Sequence, residues 1–234
     1  MALLSVDGVT LRFGGIVAVD DVSLDAVEGE IVGLIGPNGA GKTTVFNLIT
    51  RLYRPESGEI AFAGESLLRT PAHGVIRRGI ARTFQNVELF GSMTVLEHVL
   101  MGRHARRGRS ARELLGYVGL GAHAHRFARE LPYGQQKRVE LARALAAGPR
   151  LLLLDEPAGG LNHEEVEGLG DLIRRLRDDF ELTVLLVEHH MGLVMGSAER
   201  VHVLDFGRRI ASGTPAEVQN DPAVIEAYLG TTDG

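Results

Sequence analysis

A glycine-rich segment in the first fifth of the chain has the residue types and spacing of a phosphate-binding loop. It matches the pattern G-x-x-x-x-G-K-[ST] through Gly36, Pro37, Asn38, Gly39, Ala40, Gly41, Lys42 and Thr43. Glycines let successive backbone N–H groups converge on an anion, and a helix N-terminus adds roughly half a positive charge. In this chemistry Lys42 reaches the β- and γ-phosphates of a nucleotide, and Thr43 offers a hydroxyl to Mg²⁺. The alternative is a glycine-rich turn that binds no ligand.

The residues on either side of this segment are those expected of a strand and a helix. The apolar run at residues 30–35 predicts a buried strand that leads into the loop. The segment 44–49, which begins with Thr44, predicts the helix that leaves it. A strand, a glycine-rich turn and a helix in this order form the context in which the pattern binds a nucleotide phosphate.

Two adjacent carboxylates, Asp155 and Glu156, follow the purely apolar run at residues 151–154. Such a run predicts a central parallel strand, and ligands of parallel sheets lie at the carboxyl ends of the strands. Asp155 is therefore a candidate ligand of Mg²⁺, commonly through water, and Glu156 is a candidate base for the water that attacks a phosphate. For this segment alone, the alternative is an acidic turn that caps the next helix.

Composition limits the classes of protein to which the chain can belong. Its 234 residues suffice for one substantial core, and contents of 44% apolar and 24% charged residues are ordinary for a globular protein. The net charge of −5 argues against general nucleic-acid binding, and the absence of cysteine excludes disulfides and cysteine-bound metals. No apolar run approaches the ~20 residues of a spanning helix, and residues 1–7 do not resemble a signal peptide. We therefore expect a cytoplasmic protein whose membrane association is peripheral.

The remaining periodicity predicts a mixed α/β domain with a helical middle. A capping-box pattern begins the helical region at Thr94. The predicted strands cover residues 3–13, 16–24, 30–35, 59–63, 80–84, 151–154, 182–187, 201–204 and 208–211, and the predicted helical segments cover 44–49, 94–147 and 163–180. Because strands near both termini bracket the helices, one α/β domain with a helical insertion is favoured over two consecutive domains.

A third motif lies inside the helical region. Residues 131–136, Leu-Pro-Tyr-Gly-Gln-Gln, resemble the signature motif of ABC-transporter ATPases, usually Leu-Ser-Gly-Gly-Gln. The order of phosphate loop, signature and Asp-Glu-Pro is specific to that family, and the resemblance covers nearly the whole chain. It implies a P-loop NTPase (RecA-like) α/β core with an antiparallel β subdomain and an inserted α-helical subdomain. Within the single domain 1–234, the implied core with its β subdomain comprises residues 1–85 and 149–234, and the helical subdomain with the signature comprises 86–148.

The resemblance also implies roles for single residues. Phe13 matches the aromatic position that stacks on adenine, although an isolated Phe in a strand is more often part of a core. Gln85 matches the glutamine that links Mg²⁺ and water to the helical subdomain. His189 matches the switch histidine that contacts the γ-phosphate, although a lone His after a strand is usually structural. The implied catalytic residues are Lys42, Gln85, Glu156 and His189, the metal ligands are Thr43, Gln85 and Asp155, and the nucleotide contacts are Phe13, residues 36–44, Tyr133, Gly134 and Gln135.

Three positions depart from the family pattern. Pro132 replaces the signature serine and removes a hydroxyl and an N–H, although Pro is favourable in the first turn of a helix. Tyr133 replaces a glycine and adds bulk near the nucleotide. Asn162 replaces the usual aspartate of the loop that crosses between two cassettes. Because the hydrolytic residues are all present, we expect an active ATPase that uses ATP and Mg²⁺.

Within the family, the chain most resembles importer ATPases for branched-chain amino acids. The resemblance is carried by residues 12–15, 82–86, 93–97, 133–136, 188–191 and 227–230, and that group generally has Tyr at the position of Tyr133. It implies a second ABC ATPase subunit, identical or a paralogue, with transmembrane permease subunits and, indirectly, a periplasmic or extracellular solute-binding protein. The implied location is the inner face of the cell membrane. Alternatives are import of urea or short amides, export of lipid or lipopolysaccharide, a soluble ABC ATPase acting on ribosomes or DNA, and a scaffold that binds ATP without hydrolysis.

The segment at residues 103–112 is locally basic. A solvated loop of the helical subdomain is the favoured interpretation. Docking to lipid headgroups or to a membrane subunit is the alternative. His123, His125 and His163 have no partner set at ligand spacing, so surface positions are favoured over metal ligands.

Overall fold

The computed structural model describes residues 2–103 and 109–229. Half of the basic segment, residues 104–108, and Gly230 of the C-terminal stretch therefore lie outside the described residues. The strands are β1 (Ala2–Phe13), β2 (Ile16–Val27), β3 (Ile31–Ile35), β4 (Ser57–Phe62), β5 (Glu65–Ser66), β6 (Ile80–Arg82), β7 (Leu151–Asp155), β8 (Thr183–Val187), β9 (Arg200–Asp205) and β10 (Arg208–Gly213). The helices are α1 (Lys42–Ile49), α2 (Ala72–Arg78), α3 (Val95–Gly102), α4 (Ala111–Tyr117), α5 (Tyr133–Ala146), α6 (His163–Phe180), α7 (Met191–Ser197), α8 (Pro215–Gln219) and α9 (Pro222–Leu229).

The strands form two sheets of different character. An antiparallel sheet has the order β2-β1-β4-β5, and a mixed sheet has the order β10-β9-β3-β8-β7-β6. In the mixed sheet every pairing is parallel except that of β9 with β10. Strands β3, β7 and β8 are buried at every position, as expected of parallel strands that are covered on both faces.

Alternate residues of the central strands enter two different cores. Ile31 and Ile35 of β3 pack in a cluster with the helical region, whereas Val32 and Leu34 pack in a cluster with the antiparallel sheet and α1. This alternation follows from the period of two along a strand. The mixed sheet is therefore a rigid middle layer, and the loops at its carboxyl edge are held from both sides.

Four of the described helices, α3, α4, α6 and α8, begin with a capping box. Thr94 accepts a hydrogen bond from the Glu97 backbone N–H, and the Glu97 carboxylate accepts one from the Thr94 N–H, which confirms the predicted capping box. The same reciprocal pair occurs at Ser110, Asn162 and Thr214. Among the described residues, no helix is long and apolar enough to cross a bilayer.

Several predicted boundaries were wrong, and two of the differences bear on the site. The strand predicted at residues 80–84 ends at Arg82, because Thr83 and the residues after it leave the sheet to form the loop that carries Gln85. The predicted continuous helical region at 94–147 consists of α3, α4 and α5 with turns between them. The helix after the signature begins at Tyr133, with Pro132 as the residue that precedes its first turn.

Candidate functional site

The glycine-rich loop between β3 and α1 is pressed against neighbouring backbone. Gly36 has φ of 150°, and a Cβ atom there would lie 2.1 Å from the carbonyl oxygen of Leu204. Gly41 has φ of 101°, and its Cβ would lie 2.6 Å from the carbonyl oxygen of Ala18. A side chain at either position would push the loop away from β9 or β2. The glycines are thus required by the close approach of backbones as well as by the turn.

Helix α1 begins inside this loop with its N-terminal donors available. Gly41 precedes the first helical residue, and no side chain in the described part of the chain caps the helix. The first N–H groups of a helix have no intrahelical partner. Together with the helix dipole, they form a positive site that suits a phosphate.

Lys42 lies buried beneath the loop with only 5% of its surface exposed. Its Nζ donates hydrogen bonds to the carbonyl oxygens of Gly36 at 2.7 Å and Pro37 at 2.9 Å. Burial lowers the pKa of the Lys42 amine, and the nearby carboxylates of Glu156 and Asp155 oppose that shift. The amine is therefore held at the loop, where an anion would replace carbonyl oxygens as its partner.

Asp155 ends strand β7 and is buried, with 1% of its surface exposed. Its Oδ2 accepts a hydrogen bond from Arg82 Nη2 at 2.6 Å, whereas Oδ1 has no hydrogen-bond partner among the described residues. Burial raises the pKa of the Asp155 carboxyl, and the hydrogen bond and charge of Arg82 oppose that shift. A buried carboxylate with an unused oxygen is a hard ligand of the kind that Mg²⁺ prefers, so this residue fits the predicted metal role.

Glu156, Gln85 and His189 meet above the carboxyl edge of the sheet. Gln85 Nε2 donates to Glu156 Oε2 at 2.8 Å, and His189 Nδ1 lies 3.7 Å from the same oxygen. Glu156 has φ of 45°, a conformation that L side chains rarely adopt, and its N–H donates to the Val187 carbonyl at 2.9 Å. Strain of this kind persists where the surroundings hold a side chain in place for a task.

A cavity of about 490 Å³ joins these residues to the glycine-rich loop. Its walls are formed by Gly36, Pro37, Asn38, Gln85, Glu156, His189 and Tyr228. The arrangement places a general base, a histidine and an amide beside a phosphate-binding loop. It can hold a nucleotide phosphate and direct a water molecule at it.

The family model described as ABC transporter matches residues 19–159, which is more than half of the chain. The chain belongs to the ABC transporter family. A second model, described as branched-chain amino acid ATP-binding cassette transporter, matches residues 208–234. ABC ATPases hydrolyse ATP to power transport, and this chain is an ATPase of that family.

Relatives from three bacteria resemble this cassette over almost their whole length. The branched-chain amino acid transport ATP-binding protein LivG of Salmonella typhimurium is 46% identical over 249 aligned positions, covering 97% of this chain and 98% of LivG. BraF of Pseudomonas aeruginosa, of the same description, is 44% identical with the same coverage. The lipopolysaccharide export ATP-binding protein LptB of Haemophilus influenzae is 35% identical and covers 98% of both chains.

Solved structures of ABC cassettes have the same fold. The ADP conformation of MJ1267, an ATP-binding cassette of an ABC transporter, has a TM-score of 0.90 at 30% identity and covers 98% of this chain and 99% of its own. The dimeric structure of MJ0796, a bacterial ABC transporter cassette, has a TM-score of 0.80 at 29% identity and covers 91% of this chain and 98% of its own. The predicted fold, an ABC ATPase with a P-loop core, is therefore confirmed.

The signature of this cassette lies outside the cavity at its own phosphate loop. Within the described residues, none from 131–135 lines the cavity at the glycine-rich loop. Gln135 and Gln136 donate backbone N–H groups to the Pro132 carbonyl, so Pro132 replaces the usual serine without disturbing the start of α5. The exposed ring of Tyr133 lies against Gly160, where a Cβ would be 2.9 Å from the ring.

Two further predicted residues occupy distinct places in the cassette. Phe13 is 45% exposed at the β1–β2 turn, and its ring meets that of Tyr53 edge-on at 5.1 Å between centroids. It follows that Phe13 is not a core residue. The Ala18 carbonyl of the same hairpin lies against Gly41, so the hairpin that carries Phe13 borders the phosphate loop. Asn162 caps α6 by accepting from the Glu165 N–H at 3.0 Å, so the departure from aspartate keeps the helix start.

Four residues of the site were not predicted to belong to it: Arg82, Lys137, Glu188 and Tyr228. Lys137 Nζ donates to the carbonyls of Gln85 at 3.3 Å and Glu156 at 3.1 Å, and burial lowers the pKa of its amine. Glu188 is fully buried and accepts from the N–H groups of Ala158, His189 and His190. Tyr228 of α9 lines the cavity, and burial raises its pKa. Arg82, Lys137 and Glu188 lie close in sequence to the recognised motifs. No spacing in the sequence marks them as residues of the site.

Proposed function

We propose that the chain is the ATP-hydrolysing subunit of an ABC importer for branched-chain amino acids. The observation that carries this proposal is the cavity in which Glu156, Gln85 and His189 face the phosphate loop. The solute class is supported by the near full-length similarity to LivG and BraF and by the match of the C-terminal residues 208–234.

Substrate binding follows from the positive groups of the loop. The phosphates of ATP are held by the N–H groups at the start of α1 and by the buried amine of Lys42. Phe13, with Tyr53 behind it, offers an exposed aromatic face for adenine. Thr43, Gln85 and Asp155 are the residues that would hold Mg²⁺, which when bound neutralises phosphate charge that develops during transfer.

Hydrolysis depends on a water molecule placed between Glu156 and the γ-phosphate. The Glu156 carboxylate takes the proton of this water as it attacks the γ-phosphate. Gln85 holds the Glu156 carboxylate through a hydrogen bond, and His189 lies beside the same carboxylate and lines the cavity. Lys137 and Glu188 fix the backbone of the loops that carry these side chains. Because these hydrogen bonds position the loops before the reaction, the side chains of the site need little reorganisation when the water attacks.

A second ATPase subunit, a copy or a paralogue, completes the site. The signature residues Tyr133, Gly134 and Gln135 do not line the chain's own cavity, and no side chain among the described residues caps the N–H groups at the start of α5. These donors suit the γ-phosphate of an ATP bound to the other subunit. Closure of two subunits on ATP, followed by hydrolysis and opening, would supply the movement that drives transport.

An apolar groove next to the catalytic glutamine is proposed to receive the transmembrane permease subunit. It has a volume of about 600 Å³ and is lined by Phe84, Leu89, Phe90 and Met101 among others. Phe84 and Phe90 are 40% and 56% exposed, and exposed apolar clusters mark interaction sites. The helical subdomain at 86–148 would carry this groove on the inner face of the cell membrane, and a solute-binding protein would act on the opposite face.

Urea or amide import and lipopolysaccharide export are the competing functions. LptB shares the fold and the length of this chain, but it is less similar to the chain than LivG and BraF are. The solute is therefore best tested in the cell of origin. We expect deletion of the gene to abolish high-affinity uptake of radiolabelled leucine, isoleucine and valine, and a plasmid-borne copy to restore it.

Two variants sharpen that experiment. Glu156→Gln should not restore uptake, whereas Glu164→Gln, which changes an exposed acid in the first turn of α6, should restore it fully. Loss of urea uptake with unchanged leucine uptake would overturn the assigned solute. A lethal deletion with lipopolysaccharide retained in the inner membrane would instead assign the chain to export.

A further inference from the structure

The geometry points to Arg82 as a positioning residue that aims the Asp155 carboxylate at the divalent cation and ties it to the phosphate-loop helix. The inference rests on the proposed function, because it takes Asp155 as a metal ligand. Arg82 is the last residue of β6, whereas Asp155 ends the neighbouring strand β7. No motif of phosphate-loop chemistry requires an arginine at this position.

One guanidinium group connects three elements at the base of the site. Arg82 Nη2 donates to Asp155 Oδ2 at 2.6 Å, and the two side chains are 7% and 2% exposed. Nη1 donates to Asn47 Oδ1 at 2.7 Å and to Thr50 Oγ1 at 3.3 Å, both on or directly after α1. The cation therefore joins β6, β7 and the helix whose N-terminus faces the phosphates.

Aromatic rings hold the guanidinium within this network. The Arg82 Cζ atom lies 5.4 Å from the ring centroid of Phe46 and 5.0 Å from that of Phe84. These distances are within the range of cation–π attraction. Phe84 directly precedes Gln85, so the same group that holds Asp155 also supports the start of the glutamine loop.

The two carboxylate oxygens of Asp155 differ in their contacts. Oδ2 is engaged by Arg82, and Oδ1 has no hydrogen-bond partner among the described residues. A carboxylate fixed through one oxygen presents the other in one direction, as outer hydrogen-bond partners do for metal ligands. Lysine could not reproduce this, because its single nitrogen lacks the planar fork that reaches Asp155 and Asn47 at once.

A purely structural ion pair is the competing explanation, and metal-dependent binding separates the two. We would measure the Kd of a non-hydrolysable ATP analogue with Mn²⁺ and again with EDTA, and take the ratio as the metal-dependent gain. Arg82→Met should lower this gain by about 10- to 100-fold while the metal-free Kd stays unchanged. Arg82→Lys should lose part of the metal-dependent gain. This variant is used for the test if Arg82→Met does not fold. The electron paramagnetic resonance spectrum of bound Mn²⁺ should change in both variants.

Two control variants make the outcome decisive. Arg143→Met breaks another buried pair, Arg143 Nη2 to Glu140 Oε1 at 3.0 Å, and should keep the full gain. Asp155→Asn should lose it. If Asp155→Asn keeps the gain, the proposed metal site and the role of Arg82 both fail. If Asp155→Asn loses the metal-dependent gain and the Arg82 variants keep it, only the role of Arg82 is overturned. The same conclusion holds if the Arg82 variants raise the Kd with EDTA by the same factor as the Kd with Mn²⁺.

Discussion

Lys42 and Lys137 act on the site through carbonyl oxygens of the loops that surround it. Lys42 binds the carbonyls of Gly36 and Pro37, and Lys137 binds those of Gln85 and Glu156. Burial lowers the pKa of both amines, and acidic side chains near the site oppose the shift. Each amine thereby holds the backbone of loops that border the site.

Lys137 clamps the two loops that present Gln85 and Glu156. Lys137→Met should lower kcat for ATP hydrolysis by about 10- to 100-fold, because small displacements of a base cost that much. The affinity for ATP should not change, since Lys137 makes no contact with the phosphate loop among the contacts of the described residues. Steady-state ATPase kinetics and nucleotide titration measure the two quantities.

Arg138→Met provides the matched control for that variant. Arg138 is the next residue of α5 and is exposed, so its loss should leave both kcat and ATP affinity near the wild-type values. An unchanged kcat in Lys137→Met would show that the clamp is dispensable. A parallel loss of ATP affinity would show that Lys137 supports the fold instead.

Helix α3 is joined to the preceding loop by a fully buried histidine. His98 Nε2 accepts a hydrogen bond from the Phe90 N–H at 2.9 Å, and Nδ1 donates to the Thr94 carbonyl at 2.8 Å. These partners require the neutral ring with its proton on Nδ1. Phe90 lines the groove proposed for the permease. The hydrogen bond from its N–H to His98 therefore links helix α3 to that surface.

Protonation of that histidine makes the free energy of unfolding depend on pH. Burial lowers the pKa of His98, Arg143 adds to the shift, and the Thr94 carbonyl and Glu97 oppose it; burial also lowers the pKa of His202. The unfolded chain therefore binds protons more readily than the folded chain. The free energy of unfolding should be fully retained above the ordinary histidine pKa of about 6.5 and should fall as the pH drops below it.

Urea unfolding at a series of pH values between neutral and mildly acid conditions measures this dependence. The double variant His98→Asn, His202→Asn should show a flatter pH dependence than the wild type, even if it is less stable at neutral pH. His163→Asn, which changes an exposed histidine, should leave the slope as it is. If the free energy of unfolding depended on pH equally in the wild type and the double variant, the assignment of this dependence to His98 and His202 would be refuted.

At the scale of the whole molecule, the site is where four loops of one sheet and the last helix meet. The loops follow β3, β6, β7 and β8, and α9 adds Tyr228. The phosphate-loop pattern and the acidic pair after β7 predicted the loops that follow β3 and β7, because carboxyl ends of parallel strands share one edge. Gln85 and His189, in the loops after β6 and β8, were implied by the family resemblance. The helix at residues 163–180 was predicted to the residue, since its apolar period extends over 18 residues. The buried strands β3, β7 and β8 were predicted to within one residue, since each is a short and largely apolar run.

Other features could not be predicted because no local pattern contains them. Helices α2, α7, α8 and α9 have 7, 7, 5 and 8 residues, too few turns to display a period. The pair of Arg82 with Asp155 joins residues that are 73 positions apart, and Glu188 binds Ala158 across 30 positions. Such contacts arise only when the sheet has assembled, so they are properties of the fold.

Glu156 is assigned as the base for ATP hydrolysis, and the hydrolysis rate of the Glu156→Gln protein tests this assignment. Single-turnover ATP hydrolysis should be slower than in the wild type by about 100-fold or more, with ATP affinity unchanged, because the amide cannot accept the proton of the attacking water. Hydrolysis at the wild-type rate by a folded Glu156→Gln protein that binds ATP normally would contradict the account.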